Sequence, residues 1–305
     1  MSKPANSQSQ KRFAESVGAL FQAPPSKTPT SLFLTSSTDE GVVRNGGRNG
    51  ARFAPRSLLA TFKRLTQTEN LRGLSFRAVE VSSPEAEEVD FPRAQELEAG
   101  RIREALETFP GARIFHVGGG HDHIYPLLMA LREPGRDLVV INIDAHADTR
   151  TDESFHSGTP FRQFAGQHRE GFRLFQIGLN PFANSFSTLE SLEPSHQSVL
   201  WRRDLTPEKL SAFFQSIKEV LKPKTRVVFS LDADALNAAE VPGVSAVNSQ
   251  GLCLREVLDL WRRYVALGFD HQPVMGIYEL NPVYDTLASI SMRTISTLIF
   301  ESLND

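Results

Sequence analysis

Two imidazoles and four carboxylates fall in three short clusters of this chain. They are His121 within Gly118–His123 (GGGHDH), Asp144, His146 and Asp148 within Asp144–Asp148 (DAHAD), and Asp232 and Asp234 within Ser230–Asp234 (SLDAD). Hard carboxylate oxygens with some imidazole, and no cysteine nearby, suit a pair of Mn²⁺ ions better than a structural zinc. In Asp144–His146 and in Asp232–Asp234 the i, i+2 spacing puts both side chains on one side of an extended backbone. A carboxylate between two cations bridges them. Two metals about 3.5–4 Å apart generate a hydroxide near neutral pH and aim it at an electrophilic carbon. An isolated Asp-x-Asp reads as a turn, and an isolated histidine as a surface or core residue. Three such clusters, each placed at the end of an apolar run, read as a binuclear metal centre.

The elements that must position these residues are legible as alternating strand and helix patterns. Each cluster follows a β-branched apolar run: Ile114–Val117, Leu138–Ile143 and Val227–Leu231. Runs of this kind between helical patterns are buried parallel strands, and open parallel sheets bind ligands at their carboxyl ends. Strands are expected at Ser31–Thr35, Leu74–Val81, Arg113–Val117, Leu138–Ile143, Arg173–Ile177, Gln197–Trp201, Arg226–Leu231 and Val274–Leu280. Helices are expected near Pro55–Leu65, Ala94–Phe109, His123–Leu131, Thr159–Gln167, Pro207–Leu221, Leu254–Leu267 and Asp285–Leu303. The fold class is therefore α/β, three layers with a mainly parallel eight-stranded sheet covered on both faces. Two long polar loops, Ala145–Gly158 and Asp232–Gly251, begin with the metal-ligand candidates; loops of that length in a compact domain are functional.

Residues 31–305 read as a single catalytic domain, preceded by a tail over 1–30. Met1–Gln10 is polar and expected to be frayed. Phe13, Val17, Leu20 and Phe21 fall at helical spacing and predict a short amphipathic helix that ends before Pro24-Pro25. The 305 residues are enough for one sizeable core, and the 40% hydrophobic and 23% charged fractions are those of a globular protein. A net charge of −3 gives no electrostatic reason to bind nucleic acid or an anionic membrane. The one cysteine, Cys253, rules out an intrachain disulfide framework and fits a reducing compartment. With no apolar run long enough to span a bilayer and no secretory signal pattern, the expected location is the cytoplasm.

GGGHDH, DAHAD and SLDAD, in this order, resemble the signatures of the ureohydrolase (arginase) superfamily, which includes arginase, agmatinase and formimidoylglutamase. The resemblance covers roughly Ser36–Leu303. It implies an arginase-like fold and two Mn²⁺ ions per chain. One ion would take His121, Asp144, Asp148 and Asp232; the other would take His146, Asp144, Asp232 and Asp234. Asp39–Pro55 (DEGVVRNGGRNGARFAP), His156–Gln163 (HSGTPFRQ) and Pro242–Ala246 (PGVSA) are most similar to the formimidoylglutamase branch. Asn237 stands where arginases and agmatinases usually carry an Asp-Pro pair. Ala147–Thr149 departs from the branch, which often has bulkier apolar residues there.

Glu279-Leu280-Asn281-Pro282 matches a Glu-x-Asn-Pro motif whose carboxylate holds an amidine or guanidine cation. The resemblance thus implies hydrolysis of N-formimidoyl-L-glutamate to L-glutamate and formamide, in histidine degradation. Glu279 would anchor the planar cation through a charge-assisted hydrogen bond. Asp148 would carry a proton to the departing amine, with His156 as the shuttle to solvent. A glutamate moiety brings two carboxylates, which arginine reads well because its planar fork matches them. Arg150 is the first candidate reader, with Arg44 and Arg48 in the Gly/Asn-rich segment. His116 and His123 are expected to pack or hydrogen-bond behind the ligands rather than to ligate. Two alternatives stay open: another amidine or guanidine hydrolase such as agmatinase or guanidinobutyrase, and a metal-binding protein without catalysis. The partner is a small molecule, and a homo-oligomer is compatible with the sequence.

Overall fold

The computed structural model describes residues 7–22, 24, 28–82, 89–193 and 195–305. Eight strands form one wholly parallel sheet: β1 Ser31–Ser36, β2 Phe76–Glu80, β3 Arg113–Gly118, β4 Leu138–Ile143, β5 Phe172–Leu179, β6 Gln197–Trp201, β7 Arg226–Asp232 and β8 Val274–Tyr278. Their order across the sheet is β2-β1-β3-β8-β7-β4-β5-β6. The helices are α1 Ser7–Ala14, α2 Glu40–Arg44, α3 Ala54–Phe62, α4 Phe91–Thr108, α5 Ile124–Leu131, α6 Pro160–Gln167, α7 Phe186–Leu189, α8 Pro207–Val220, α9 Leu254–Val265 and α10 Ile290–Ser302.

Period-two side-chain alternation divides each central strand between two cores. On β4, Val139, Ile141 and Ile143 enter one core, while Leu138 and Val140 enter the other. The first core is closed by α3, α8, α9 and α10, through residues such as Leu58, Ile217, Trp261 and Ile295. The second is closed by α4, α5 and α6, through Ile102, Leu127 and Phe164. This is the expected three-layer architecture, and it leaves the central strands buried on both faces.

Local chemistry starts several helices where the sequence places them. Asp90 accepts from the Arg93 amide before α4, Thr206 accepts from the Lys209 amide before α8, and Pro92 and Pro207 sit in the first turn. Two expectations need correction. The C-terminal helix begins at Ile290 rather than near Asp285, because Ser289 adopts φ +54 and the Asp285 carboxylate reaches forward to accept from the Ser291 and Met292 amides. The N-terminal apolar residues are not on one helix. α1 stops at Ala14, a 3₁₀ turn covers Val17–Gln22, and between them the backbone pairs with another segment, with Gln67 N donating to Glu15 O and Ser16 bridging to Thr66. The expected frayed stretch Met1–Gln10 is partly helical, since α1 begins at Ser7; residues 1–6 lie outside the described residues, as does Pro25.

No helix among the described residues is long and apolar enough to cross a membrane.

Candidate metal centre

The chain order reverses in the middle of the sheet. Consecutive strands β3 and β4 lie apart, with β8 and β7 between them. These four adjacent strands deliver the chemistry at their carboxyl ends: His121 beyond β3, Glu279 beyond β8, Asp232 and Asp234 at β7, and Asp144, His146 and Asp148 beyond β4. A reversal of this kind opens a crevice between diverging loops. A cavity of about 390 Å³ lies there, lined among others by His146, Asp148, Asp232, Asp234, Glu279, Arg48 and Arg150.

At its floor three carboxylates converge on one ring nitrogen. His121 Nδ1 lies 3.1 Å from Asp144 Oδ2, 2.9 Å from Asp148 Oδ2 and 3.1 Å from Asp232 Oδ2. The opposite nitrogen, Nε2, is 2.8 Å from Ser230 Oγ, and the ring stacks on Tyr278 with centroids 5.0 Å apart. Beside this group, His146 Nδ1 is 3.2 Å from Asp234 Oδ2 and 3.6 Å from Asp144 Oδ1. His121, Asp144, Asp148 and Asp232 thus form one ligand-competent cluster and Asp144, His146 and Asp234 a second, with Asp144 common to both. Asp232 belongs by distance to the first cluster only; its Oδ1 accepts from the Asp234 amide.

The donor set fits divalent cations. A single imidazole proton cannot satisfy three carboxylates at once, whereas one cation can be shared by all of them. Asp234 Oδ1 is buried with no hydrogen-bond partner, an acceptor that a metal would satisfy. The charge balance points the same way. Burial opposes a charged His121, yet its bonds to Asp144, Asp148 and Asp232 raise its pKa well above the usual histidine range. The Asp234 carboxylate does the same for His146. Burial and the Asp144 charge push Asp148 up to about 6. Burial would also raise Asp144, but the two histidines hold it at about 2. A cluster that gathers protons in this way has excess negative charge awaiting cations.

Two of the ends are strained. Among the described residues, Asp148 at φ +51 and Glu279 at φ +63 are two of four non-glycine residues in the left-handed region. That backbone costs on the order of 1 kcal/mol or more and persists where surroundings enforce it. Glu279 N donates to Gly119 O, and Glu279 Oε1 accepts the His121 amide at 3.0 Å. Burial first, then the unneutralised charges of Asp234, Asp148 and Asp122, push Glu279 up to about 8; cations held by the neighbouring aspartates would relieve that repulsion and favour the ionised carboxylate. The Gly118–Gly120 run permits this crossing: a Cβ on Gly119 would stand 1.9 Å from Thr38 O. Gly50, at φ +116, packs against Asn281, whose amide donates to the carbonyls of Arg48 and Asn49.

The arginines separate. Arg150 and Arg48 line the cavity. Arg150 Nη1 donates to Asn45 Oδ1 at 2.7 Å, and Nη2 pairs with Asp152 at 2.8 Å. Arg48 donates Nε and Nη2 to Ser245 O and lies over the Tyr284 ring. Arg44 is not among the cavity-lining residues; it pairs with Glu40 and covers Phe91. His156 is buried in its own loop, with Nε2 2.7 Å from Asp152 and Nδ1 accepting from the Gly158 amide, while its neighbours Ser157 and Gly158 line the cavity. Burial lowers its pKa, against the pull of Asp152. His116 and His123 stay behind the ligands as expected: both meet Glu98, and His116 Nδ1 is 3.0 Å from the Tyr278 hydroxyl.

Several side chains that shape the site are absent from the sequence reading. Asn142 donates to Asp144 and to Gln176, Asn184 accepts from the Ala147 amide, Asn45 holds the Arg150 guanidinium, and the Ser245 hydroxyl accepts from the Arg48 backbone amide while its carbonyl holds that guanidinium. Asn142 carried a visible signal, a polar residue inside the apolar run of β4. Asn45 carried none.

Comparison with known proteins follows the same line. A family model described as the arginase family matches residues 37–304. A formimidoylglutamase from Rhodococcus opacus is 30% identical over 280 residues, covering 87% of this chain and 82% of that protein. A formimidoylglutamase from Staphylococcus aureus is 29% identical over 255 residues, covering 83% and 79%. A crystal structure of Trypanosoma cruzi formiminoglutamase with Mn²⁺₂ superposes with a TM-score of 0.78 at 25% identity, covering 94% of this chain and 97% of that one. With an all-parallel eight-stranded sheet, two acidic-imidazole clusters at its reversal point and a family match over nearly the whole chain, this protein belongs to the arginase family.

Proposed function

We propose that this chain is a manganese-dependent formimidoylglutamase, hydrolysing the C–N bond of N-formimidoyl-L-glutamate to give L-glutamate and formamide in histidine degradation. The observation that carries the reading is one cavity lined both by metal-competent carboxylates, Asp148, Asp232 and Asp234, and by two arginines, Arg48 and Arg150. His121, Asp144, Asp148, Asp232, His146 and Asp234 gather at its floor, and Arg150 and Arg48 stand among its lining. The relatives that bear this name support it.

His121, Asp144, Asp148 and Asp232 would hold one Mn²⁺, and Asp144, His146 and Asp234, with Asp232, the other. The pair would supply Lewis acidity and a nucleophilic water near neutral pH. The remaining chemistry belongs to the side chains. Glu279, buried beside the clusters, binds the planar formimidoyl cation by a charge-assisted hydrogen bond. Asp148 hands a proton from the attacking water to the departing amine, and His156, paired with Asp152 at the edge of its loop, exchanges other protons of the site with solvent. Arg150, with Arg48 beside it, reads the glutamate carboxylates. Arg44, paired with Glu40, acts on them only at a distance. Residues 31–305 act as one catalytic unit, in the cytoplasm, on a small molecule.

The test is turnover of a substrate panel by the manganese-loaded protein. Formimidoylglutamate should be hydrolysed with a kcat/KM at least about a hundredfold above agmatine, which lacks both carboxylates, and at least about tenfold above arginine and guanidinobutyrate, which each keep one. Preference for agmatine would replace this reading with that of an amine-bearing guanidine hydrolase. Turnover of none would mark a metal-binding protein without this activity.

A further inference from the structure

Asn45 caps the end of α2, far in sequence from every cluster with metal-ligand chemistry, and its side chain is exposed at the cavity. Its amide serves two segments at once. Oδ1 accepts from Arg150 Nη1 at 2.7 Å, and Nδ2 donates to Ser157 Oγ at 3.1 Å. The backbone supports the tie: Ser157 N donates to Gly41 O of α2, and Arg150 N donates to Gly158 O, joining the two ends of the loop. Asn45 therefore ties α2 to both ends of the Ala145–Gly158 loop. The Arg150 guanidinium is pinned on a second edge by Asp152 at 2.8 Å. A guanidinium has five N–H donors in a planar fork, so these two contacts fix its plane and leave other donors for a ligand. Without the amide oxygen, Arg150 would keep only the Asp152 contact and could follow that carboxylate outward on an exposed loop.

We infer that Asn45 is a positioning residue that sets the charge preference of the cavity: it aims Arg150 at the position where a substrate carboxylate is read. The inference rests on the reading that a carboxylate-bearing amidine is the substrate. Neutrality is part of the role. A carboxylate at position 45 would pair with Arg150 and present negative charge to a negatively charged ligand. An amide orients the guanidinium and leaves its charge available.

The experiment uses manganese-loaded wild type, Asn45→Ala and Asn45→Asp, with N-formimidoyl-L-glutamate and N-butylformamidine, which keeps the reacting group and lacks both carboxylates. L-glutamate binding by calorimetry provides a readout independent of turnover. Asn45→Ala should raise KM for formimidoylglutamate and the glutamate Kd by about tenfold with kcat nearly kept, the pattern of lost uniform binding. Asn45→Asp should raise both further. Neither variant should alter kcat/KM for N-butylformamidine. Equal losses on both substrates, or no change on either, would overturn the inference, because a merely structural amide does not distinguish them. Wild type that binds L-glutamate through Asn45 but does not hydrolyse formimidoylglutamate would refute the hydrolase reading and support this one. Wild type that hydrolyses formimidoylglutamate with Asn45-independent KM would do the reverse.

Discussion

Glu279 concentrates the chemistry of the site in one side chain. It lies beyond β8, is held at φ +63, and accepts the amide of His121 while its carboxylate lines the cavity. It is absent from both ligand-competent clusters, so its role separates from metal holding. Replacing it by Gln keeps size and hydrogen bonding but removes the charge that pairs with the cation. The loss should be about 1.5–3 kcal/mol of binding, roughly ten- to a hundredfold in kcat/KM, with metal content by elemental analysis unchanged. A variant that loses metal, or keeps full activity, would show that Glu279 is not the amidine anchor. The residues that could be read in the sequence were those with intrinsic chemistry. His121, Asp144, His146, Asp148, Asp232 and Asp234 announce themselves by type and local spacing. Asn45 and Ser245 act through partners distant in the chain, as in the Asn45–Arg150 bond across 105 positions, and no local pattern encodes such a pair.

At the level of elements, every expected strand is present within a few residues, since apolar β-branched runs can only be buried in a two-faced sheet. What was not legible is where helices yield to other bonds. The start of α10 is set by the Asp285 carboxylate reaching forward, and the end of α1 by backbone pairing of Glu15 and Ser16 with Gln67 and Thr66, both of which override helical periodicity. The connection entering β8 carries a pH-sensitive tie of the same kind. His271 Nε2 accepts from the Val227 amide at the start of β7, and burial holds this histidine down at about 4, against an ordinary value of 6.5. An imidazole that must stay neutral in the fold favours the unfolded chain when protons are available. Its contribution is therefore complete above about 6.5 and lost as pH falls toward 4. Denaturant midpoints measured at pH 7.5 and pH 5 should fall more steeply for wild type than for His271→Gln. Equal pH dependence in the two proteins would remove this histidine from the account.

At the scale of the whole molecule, the order β2-β1-β3-β8-β7-β4-β5-β6 does what no single segment does. It sets β8 and β7 between the consecutive strands β3 and β4, so that ligands from three distant parts of the chain share one floor and Glu279 joins them from a fourth. The strand order was not legible in the sequence, because four apolar runs of similar composition do not specify which neighbours they take. The sharing of Asp144 between the two clusters gives the central claim a quantitative form: the metals should act as a pair. The most direct measurement is formimidoylglutamate hydrolysis by chelator-stripped protein as Mn²⁺ is added back in known equivalents, with bound metal counted at each point. Activity should rise from none and level off when two ions are bound per chain, and Asp232→Asn should never reach that plateau. Full hydrolysis by the stripped protein, or a plateau at one ion per chain, would contradict a binuclear centre built from these strand ends.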